Sequence, residues 1–420
     1  MLAFSSYAQG QSSEDWLQKL EGFKIKPTVV LQLWGTYTSG QEVYDGTAET
    51  YQPIDNRLNF QLRRSRIGFK GQAYEHLQFN LTTAIDWVGR DILSGTESGF
   101  NNGGSPQLRL WNAYAQWRVL PQRDWLNLVA GYFVPTIGRE SMTSAFRSTS
   151  MEKSWSQNYL RRHLTGIGPG RTVGVNVGGL WYQVDRLLNM RYDLGVYSPT
   201  YESFGGNSSG LRNDPLVVGR LAFYLGEPES TKYGLGHKIN YFGSRQGLTL
   251  AVAAATQGET DLFISNQARS IDILFNWGDW NIDGEWSWLQ RSGQAASNGI
   301  ELFTIQAQTG YIRLGYNISL ANGYVLEPVL MQVWFNGEMN TTEQTYAELV
   351  GTPSGQERIG NAGVNLYFNP DLKLSLHYTW RQGDPGASGN GAEVNNYFFQ
   401  RQVGAIHRGN WLGLGLVLIL

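Results

Sequence analysis

The stretch LQFNLTTAIDW, Leu77–Trp87, decides the fold. Leu77, Phe79, Leu81, Thr83, Ile85 and Trp87 fall on one face of an extended chain, and Gln78, Asn80, Thr82, Ala84 and Asp86 on the other, because successive strand side chains point to opposite sides. One side is apolar and the other hydrated. The period returns in Leu108–Arg118, where Trp111, Ala113, Ala115 and Trp117 oppose Asn112, Tyr114, Gln116 and Arg118. In Asp371–Arg381, Leu372, Leu374, Leu376, Tyr378 and Trp380 oppose Lys373, Ser375, His377, Thr379 and Arg381. A face that carries charge meets water or a polar lumen, not a packed core.

Working outward, sixteen such segments are predicted, at 28–38, 57–70, 74–88, 107–118, 125–134, 171–181, 187–197, 215–225, 247–256, 269–277, 280–290, 303–320, 324–335, 358–368, 372–381 and 411–420. Their connections alternate in length. Short turns such as Gly71–Ala73, Gly278–Asp279 and Asn369–Pro370 follow even strands, and long Gly, Ser, Asn and Thr-rich stretches follow odd ones. The departure is 226–246, where a short turn was due after strand 8. An even number of roughly ten-residue strands with this alternation is the pattern of a transmembrane antiparallel β-barrel. Strands cross lipid only when every edge is paired, so the sheet must close. Trp34, Trp87, Trp117, Trp125, Tyr132, Trp277 and Trp280, near strand ends, are expected at the headgroup level. A soluble protein of stacked β-sandwiches also gives alternating strands, but not the regular long and short connections. Sixteen strands enclose a water-filled lumen unless something plugs it.

Composition agrees. Of 420 residues only 16% are charged while 13% are aromatic, against about 25% charged in ordinary soluble domains. The longest apolar run, Trp411–Leu420, is too short for a spanning helix. A net charge of −2 gives no global field for nucleic acid. The absence of cysteine excludes disulfides and thiolate metal sites. The five histidines show no metal-ligand spacing, and GIGPGR, Gly166–Arg171, lacks the Lys-Ser/Thr of a phosphate-binding P-loop. No cofactor, metal or catalytic site is therefore expected; Ser375 and His377 share a wet face without an evident acid partner. Residues 1–9, MLAFSSYAQ, read as the remnant of an export signal, with an ordinary frayed terminus as the alternative. Residues 10–26 form an N-terminal extension in which Trp16, Leu17, Leu20 and Phe23 have the spacing of a short helix, and 27–420 form the barrel.

Particular residues carry more than a pattern. LRRSRIGFKGQAYEHLQFNLTTAID, Leu62–Asp86, is similar to the arginine-pair strand, glycine turn and return strand of the phosphate-selective porin O and P family. The run LRLWNAYAQW, LNLVAGYFVPTIGRE, SMEKSW and GRTVGVNVGG resembles the same family in order and spacing, and LYFNPDLKLSLHYTW, Leu366–Trp380, does so more weakly. The resemblance implies a passive, trimeric pore of the bacterial outer membrane, with lipid around it, small anionic or polar solutes inside it and a third long loop folded inward. The chain departs from the strongly phosphate-selective pattern in ending at Leu420 and in having only 8 Lys to 25 Arg.

The candidate constriction is the longest loop, about 135–170. It carries Arg139, Arg147, Lys153, Arg161 and Arg162 against Glu140 and Glu152, five cations less two acids, or +3 in a chain whose total is −2. Guanidiniums in a narrow lumen can replace part of an anion's hydration with charge-assisted hydrogen bonds. Arg63 and Arg64 match the family's arginine pair. Neighbouring strand residues point opposite ways, so both reach the lumen only through a bulge or twist; otherwise one pairs at an edge or in a subunit contact. All of these arginines also fit a plain solvated lumen lining balanced by acids. The expected function is passive diffusion of small hydrophilic solutes with a lean toward anions such as phosphate. The alternatives are a barrel serving as accessory or structural subunit of a larger outer-membrane complex, with partner surfaces at 336–357 and 382–410, and a pore selective for sugars or organic acids.

Overall fold

The computed structural model describes residues 24–91, 93, 107–166, 168–184, 186–199, 211–296, 300–383, 397–400 and 403–420. The expected leader remnant and the helix near Trp16 lie outside these residues. The main sheet joins seventeen hydrogen-bonded segments. One is the two-residue Ile318–Ser319, which leaves sixteen spanning strands. These are β1 (Lys24–Ser39), β2 (Arg57–Tyr74), β3 (Leu77–Val88), β4 (Arg109–Arg118), β5 (Asn127–Phe133), β6 (Thr172–Trp181), β7 (Leu188–Ser198) and β8 (Leu216–Gly226). The second half comprises β9 (Gly247–Gln257), β10 (Ser265–Trp277), β11 (Trp280–Ala296), β12 (Ile300–Tyr316), β13 (Val325–Asn336), β14 (Gln356–Asn369), β15 (Leu372–Gly383) and β16 (Asn410–Ile419). Every pairing is antiparallel between chain neighbours, and β16 closes the sheet on β1 from Val30↔Ile419 to Ser39↔Asn410. No edge of the barrel is left open, as the hydrocarbon requires.

The outer face follows from alternation. Along β11 the outward residues run Trp280, Ile282, Gly284, Trp286, Trp288 and then Gln290, Ser292, Gln294; along β10 they run Trp277, Phe275, Ile273, Ile271 and then Arg269, Gln267. Trp288 pairs with Arg269, so the apolar-to-polar change falls at one level on both strands. Eight residues of a tilted strand span about 20 Å, close to the band of about 25 Å that barrels present to lipid. Beyond that level β11 and β12 stay paired as far as Ala296↔Ile300, over residues for which the sequence predicts loop. Phe303 of β12 stacks on Tyr346 of a helix at Thr341–Leu349 at 4.5 Å.

Two Trp residues depart from the girdle expectation. Trp34 and Trp87 are 2% and 5% exposed and face the lumen, Trp87 through a left-handed φ of 65°. Trp117, Trp277 and Trp280 are exposed on the outer face.

The lumen is occupied from both ends. The third long loop, 134–171, enters from the long-loop end with two helices, α1 (Arg139–Met142) and α2 (Ser156–Thr165). It reaches the short-turn end, where Arg147 donates from Nη1 to Pro370 O at 2.5 Å in the β14–β15 turn. The irregular segment 227–246 turns inward from that end to meet it. His237 pairs with Thr143 in an isolated parallel bridge, and Gln116 Nε2 donates to Tyr233 O at 3.2 Å. The over-long turn in the sequence is thus a second inward segment.

Candidate functional site

The site begins with a break in alternation on β2. Against β1, Gln32 pairs with Arg64 and Leu33 with Leu62, so Arg63 is an inserted residue, a β-bulge that sends two successive arginines inward. Glu152 of the third loop receives both. Arg63 Nε donates to Glu152 Oε2 at 2.9 Å, Arg64 Nη2 donates to Glu152 Oε1, and Arg64 Nη1 donates to Gln32 Oε1 at 2.9 Å. The Arg63 guanidinium lies 3.4 Å from the Trp87 ring centroid and 5.1 Å from that of Trp34. Those rings cover its face and leave its N–H edges for acceptors.

A second bulge repeats the device. β3 pairs Thr82 with Asn112 and Thr83 with Leu110, which sets Trp111 outside the register. Its ring turns inward between Arg66 at 3.9 Å and Arg171 at 3.6 Å, against the expectation that Trp111 faces lipid. Arg66 also pairs with Asp86. Arg171 donates from Nε to Asn112 Oδ1 at 3.1 Å.

Arg63, Arg64, Arg109, Arg161 and Arg162 converge on a cavity of about 130 Å3 whose lining includes a single carboxylate, Asp86, and three rings, Trp87, Trp111 and Trp155. Arg161 Nη2 donates to Ser141 O at 2.6 Å, while Arg162 is exposed on α2. Beside them Lys153 is buried, with Nζ donating to Thr143 O at 2.7 Å. Burial, then Arg161 and further cations, push its amine well below the ordinary lysine value. Burial alone would raise the Glu152 carboxyl, and Arg63 and Arg64 reverse this and hold it below the usual range. The region has an excess of cations.

The other predicted residues lie elsewhere. Arg139 is fully buried across the lumen, bound to Glu229 at 2.5 Å and Asp272 at 3.1 Å. Arg147 lies at the short-turn end, held by Asp371 at 2.5 Å, beside a cavity of about 470 Å3 that Lys238 and Lys373 also line. Four of the seven candidates therefore share one cavity, with Lys153 next to it, and two serve other contacts. Missing from the sequence expectation were Arg66 and Arg109. Arg66 was legible, two residues beyond Arg64 on the same face; Arg109 depended on the bulge at Trp111.

The wall opposite is built differently. Tyr159, Leu160 and Leu164 of α2 pack with Ile137 against Phe133, Tyr197, Leu216 and Val218 in a buried cluster inside the barrel. Beyond it Arg313, fully buried, bonds Asp283 at 3.0 and 2.9 Å, Glu140 at 2.8 Å, and the hydroxyls of Ser148 and Ser150 at 2.5 and 2.7 Å. Ser375 and His377 each contact Asn365, at 2.7 and 3.1 Å.

The family model for phosphate-selective porin O and P matches residues 35–394. No curated protein sequence matches the chain. Among solved structures, the anion-selective porin from Comamonas acidovorans is 10% identical, with a TM-score of 0.54, covering 95% of this chain and 100% of its own. The outer membrane channel DcaP of Acinetobacter baumannii and Salmonella typhi OmpF are each 12% identical, with TM-scores of 0.52 and 0.53, over 95% of this chain and 98% of theirs. At such identities the likeness is one of fold. The matched family, the closed sixteen-stranded barrel and the inward third loop together establish that this chain belongs to the phosphate-selective porin O and P family and is a porin of the bacterial outer membrane.

Proposed function

We propose that the pore favours anions, oxyanions such as phosphate above chloride, and that they cross along the β16–β1–β4 side of the lumen. The observation that carries this reading is the cavity where five guanidiniums face one carboxylate. Arg63, Arg64, Arg161 and Arg162 are its anion contacts, with Arg109 as a fifth; Lys153 lies behind them, held on Thr143 O. Arg139 and Arg147 hold the third loop and are not assigned to the solute. A fork of in-plane donors suits an acceptor with several oxygens. The protein works as a homotrimer on this reading, as the family resemblance implies, and cross-linking in mild detergent tests that independently.

The decisive experiment is planar-bilayer recording of the purified protein in a tenfold KCl gradient, repeated with added phosphate. An anion-selective reversal potential with phosphate block of chloride current is expected. The second reading, an accessory barrel of a larger complex, is favoured by one observation: the third loop and segment 227–246 pack together inside the lumen. A folded, heat-modifiable barrel that never conducts would select it.

A further inference from the structure

On the β5–β12 side the third loop meets the wall through packed apolar side chains and fully buried ion pairs. On the β16–β1–β2 side the junction is a seam through Met151 and Glu152, where Gln32 Nε2 donates to Met151 O at 3.3 Å. Met151 lies over two glycines of β16. A Cβ on Gly413 would stand 2.6 Å from Met151 Sδ and one on Gly415 3.1 Å from Met151 Cε, so the wall is hollowed for it. Trp34 and Trp411, stacked at 5.5 Å, flank it, and the next residue, Glu152, closes the seam on Arg63 and Arg64.

We propose that Glu152 is a displaceable counter-ligand: its carboxylate occupies the place of an oxyanion on Arg63 and Arg64, and an anion enters by taking that place. The inference rests on the anion preference proposed above and adds the residue that sets which anions pass. A carboxylate and a phosphate can each give a separate oxygen to each of two guanidiniums, as Glu152 gives Oε2 to Arg63 and Oε1 to Arg64. Exchanging one for the other never leaves the two buried cations without a counter-charge, the costly state for a buried pair. Chloride, a single acceptor atom, cannot give a separate acceptor to each of the two guanidiniums in this way. Trp87 and Trp34 cover the face of Arg63, so competition occurs at its edge, where Glu152 already sits.

Glu152→Gln keeps the size and removes the charge. In planar bilayers its chloride conductance should rise roughly threefold or more, since the seam loses its ionic tie. The half-blocking concentration of inorganic phosphate should fall about tenfold, equivalent to roughly 1.4 kcal/mol. Glu348→Gln, an exposed acid on the helix at Thr341–Leu349, should change neither. An anion-selective wild type whose folded Glu152→Gln variant keeps the same conductance and phosphate block overturns the counter-ligand role and leaves the anion reading intact. A wild type without anion preference overturns the reading itself. Should Glu152→Gln fail to fold, Met151→Cys with Gly413→Cys gives a tether in a chain that has no other cysteine. Oxidation should then abolish phosphate block and a reductant restore it; equal block in both states counts against displacement.

Discussion

The two sides of the lumen share one wall and one loop but are built from opposite materials. Toward β5–β12 the loop is embedded, with Leu160 and Leu164 in an apolar cluster and Arg313 enclosed by acids and hydroxyls. Toward β16–β4, cations outnumber acids, guanidiniums lie on tryptophan faces, and one carboxylate spans the junction. The first side therefore anchors the loop, and the second carries the arginine-lined cavity. Family membership gives a pore; the solute path proposed above rests on this asymmetry.

Breaking the anchor should have the largest effect. Arg313→Met strands Asp283 and Glu140, both fully buried, and removal of one partner from such a cluster costs about 3–5 kcal/mol. The temperature at which the folded band is lost on unboiled gels should fall sharply. Leu160→Ala removes a fully buried side chain from the apolar cluster, with an expected cost of about 2–5 kcal/mol. Any conductance gained there should be a non-selective leak, whereas opening the Glu152 seam should give anion-selective current. The same selectivity in both variants would dissolve the distinction between the sides.

Much of this architecture could be read from period and punctuation, because a strand buried on neither face must alternate between lipid and water. All sixteen strands, and the anomaly at 226–246, were legible. The site was legible only in its charges. Sequence spacing places Arg63 and Arg64 on opposite faces and Trp87 and Trp111 toward lipid; two bulges and one left-handed residue turn all four into the lumen. A bulge is a three-dimensional decision, taken where the loop's Glu152 and the guanidiniums can stabilise it, and alternation carries no sign of it. Arg139 and Arg147 lie away from the arginine-lined cavity for a related reason, since membership of a basic loop does not say which acid each cation meets.

Acid should loosen the anchor before the seam. Burial pushes His237 down to about 4 from 6.5, with Glu229 opposing. Folded His237 therefore stays neutral while the unfolded chain takes up a proton below pH 6.5. The stability due to the neutral ring is complete above about 6.5 and declines toward pH 4, by about 3 kcal/mol over that window. The carboxyls of Glu229 and Glu152 are held below the usual value, so their contribution falls away only at more acidic pH. Hydrogen exchange across 227–246 should accelerate between pH 6.5 and 4 while the 150–154 segment stays protected; loss of protection at both together would contradict this order.

Charge reversal separates selectivity from anchoring with smaller effects. Arg162→Glu, at an exposed position on α2, should shift the zero-current potential toward cations with little change in folding. The smallest change is expected at Arg147, whose side chain and that of Asp371 are 34% and 54% exposed. Pairs so open to solvent contribute about 0–1 kcal/mol. Arg147→Gln should thus leave the melting of the folded band within about 1 kcal/mol of the parent. Its zero-current potential should move less than that of Arg162→Glu, because Lys238 and Lys373 line the same wide cavity and keep it positive. A shift as large as that from Arg162→Glu would move the selectivity filter to the short-turn end and reverse the assignment of the narrow arginine cavity.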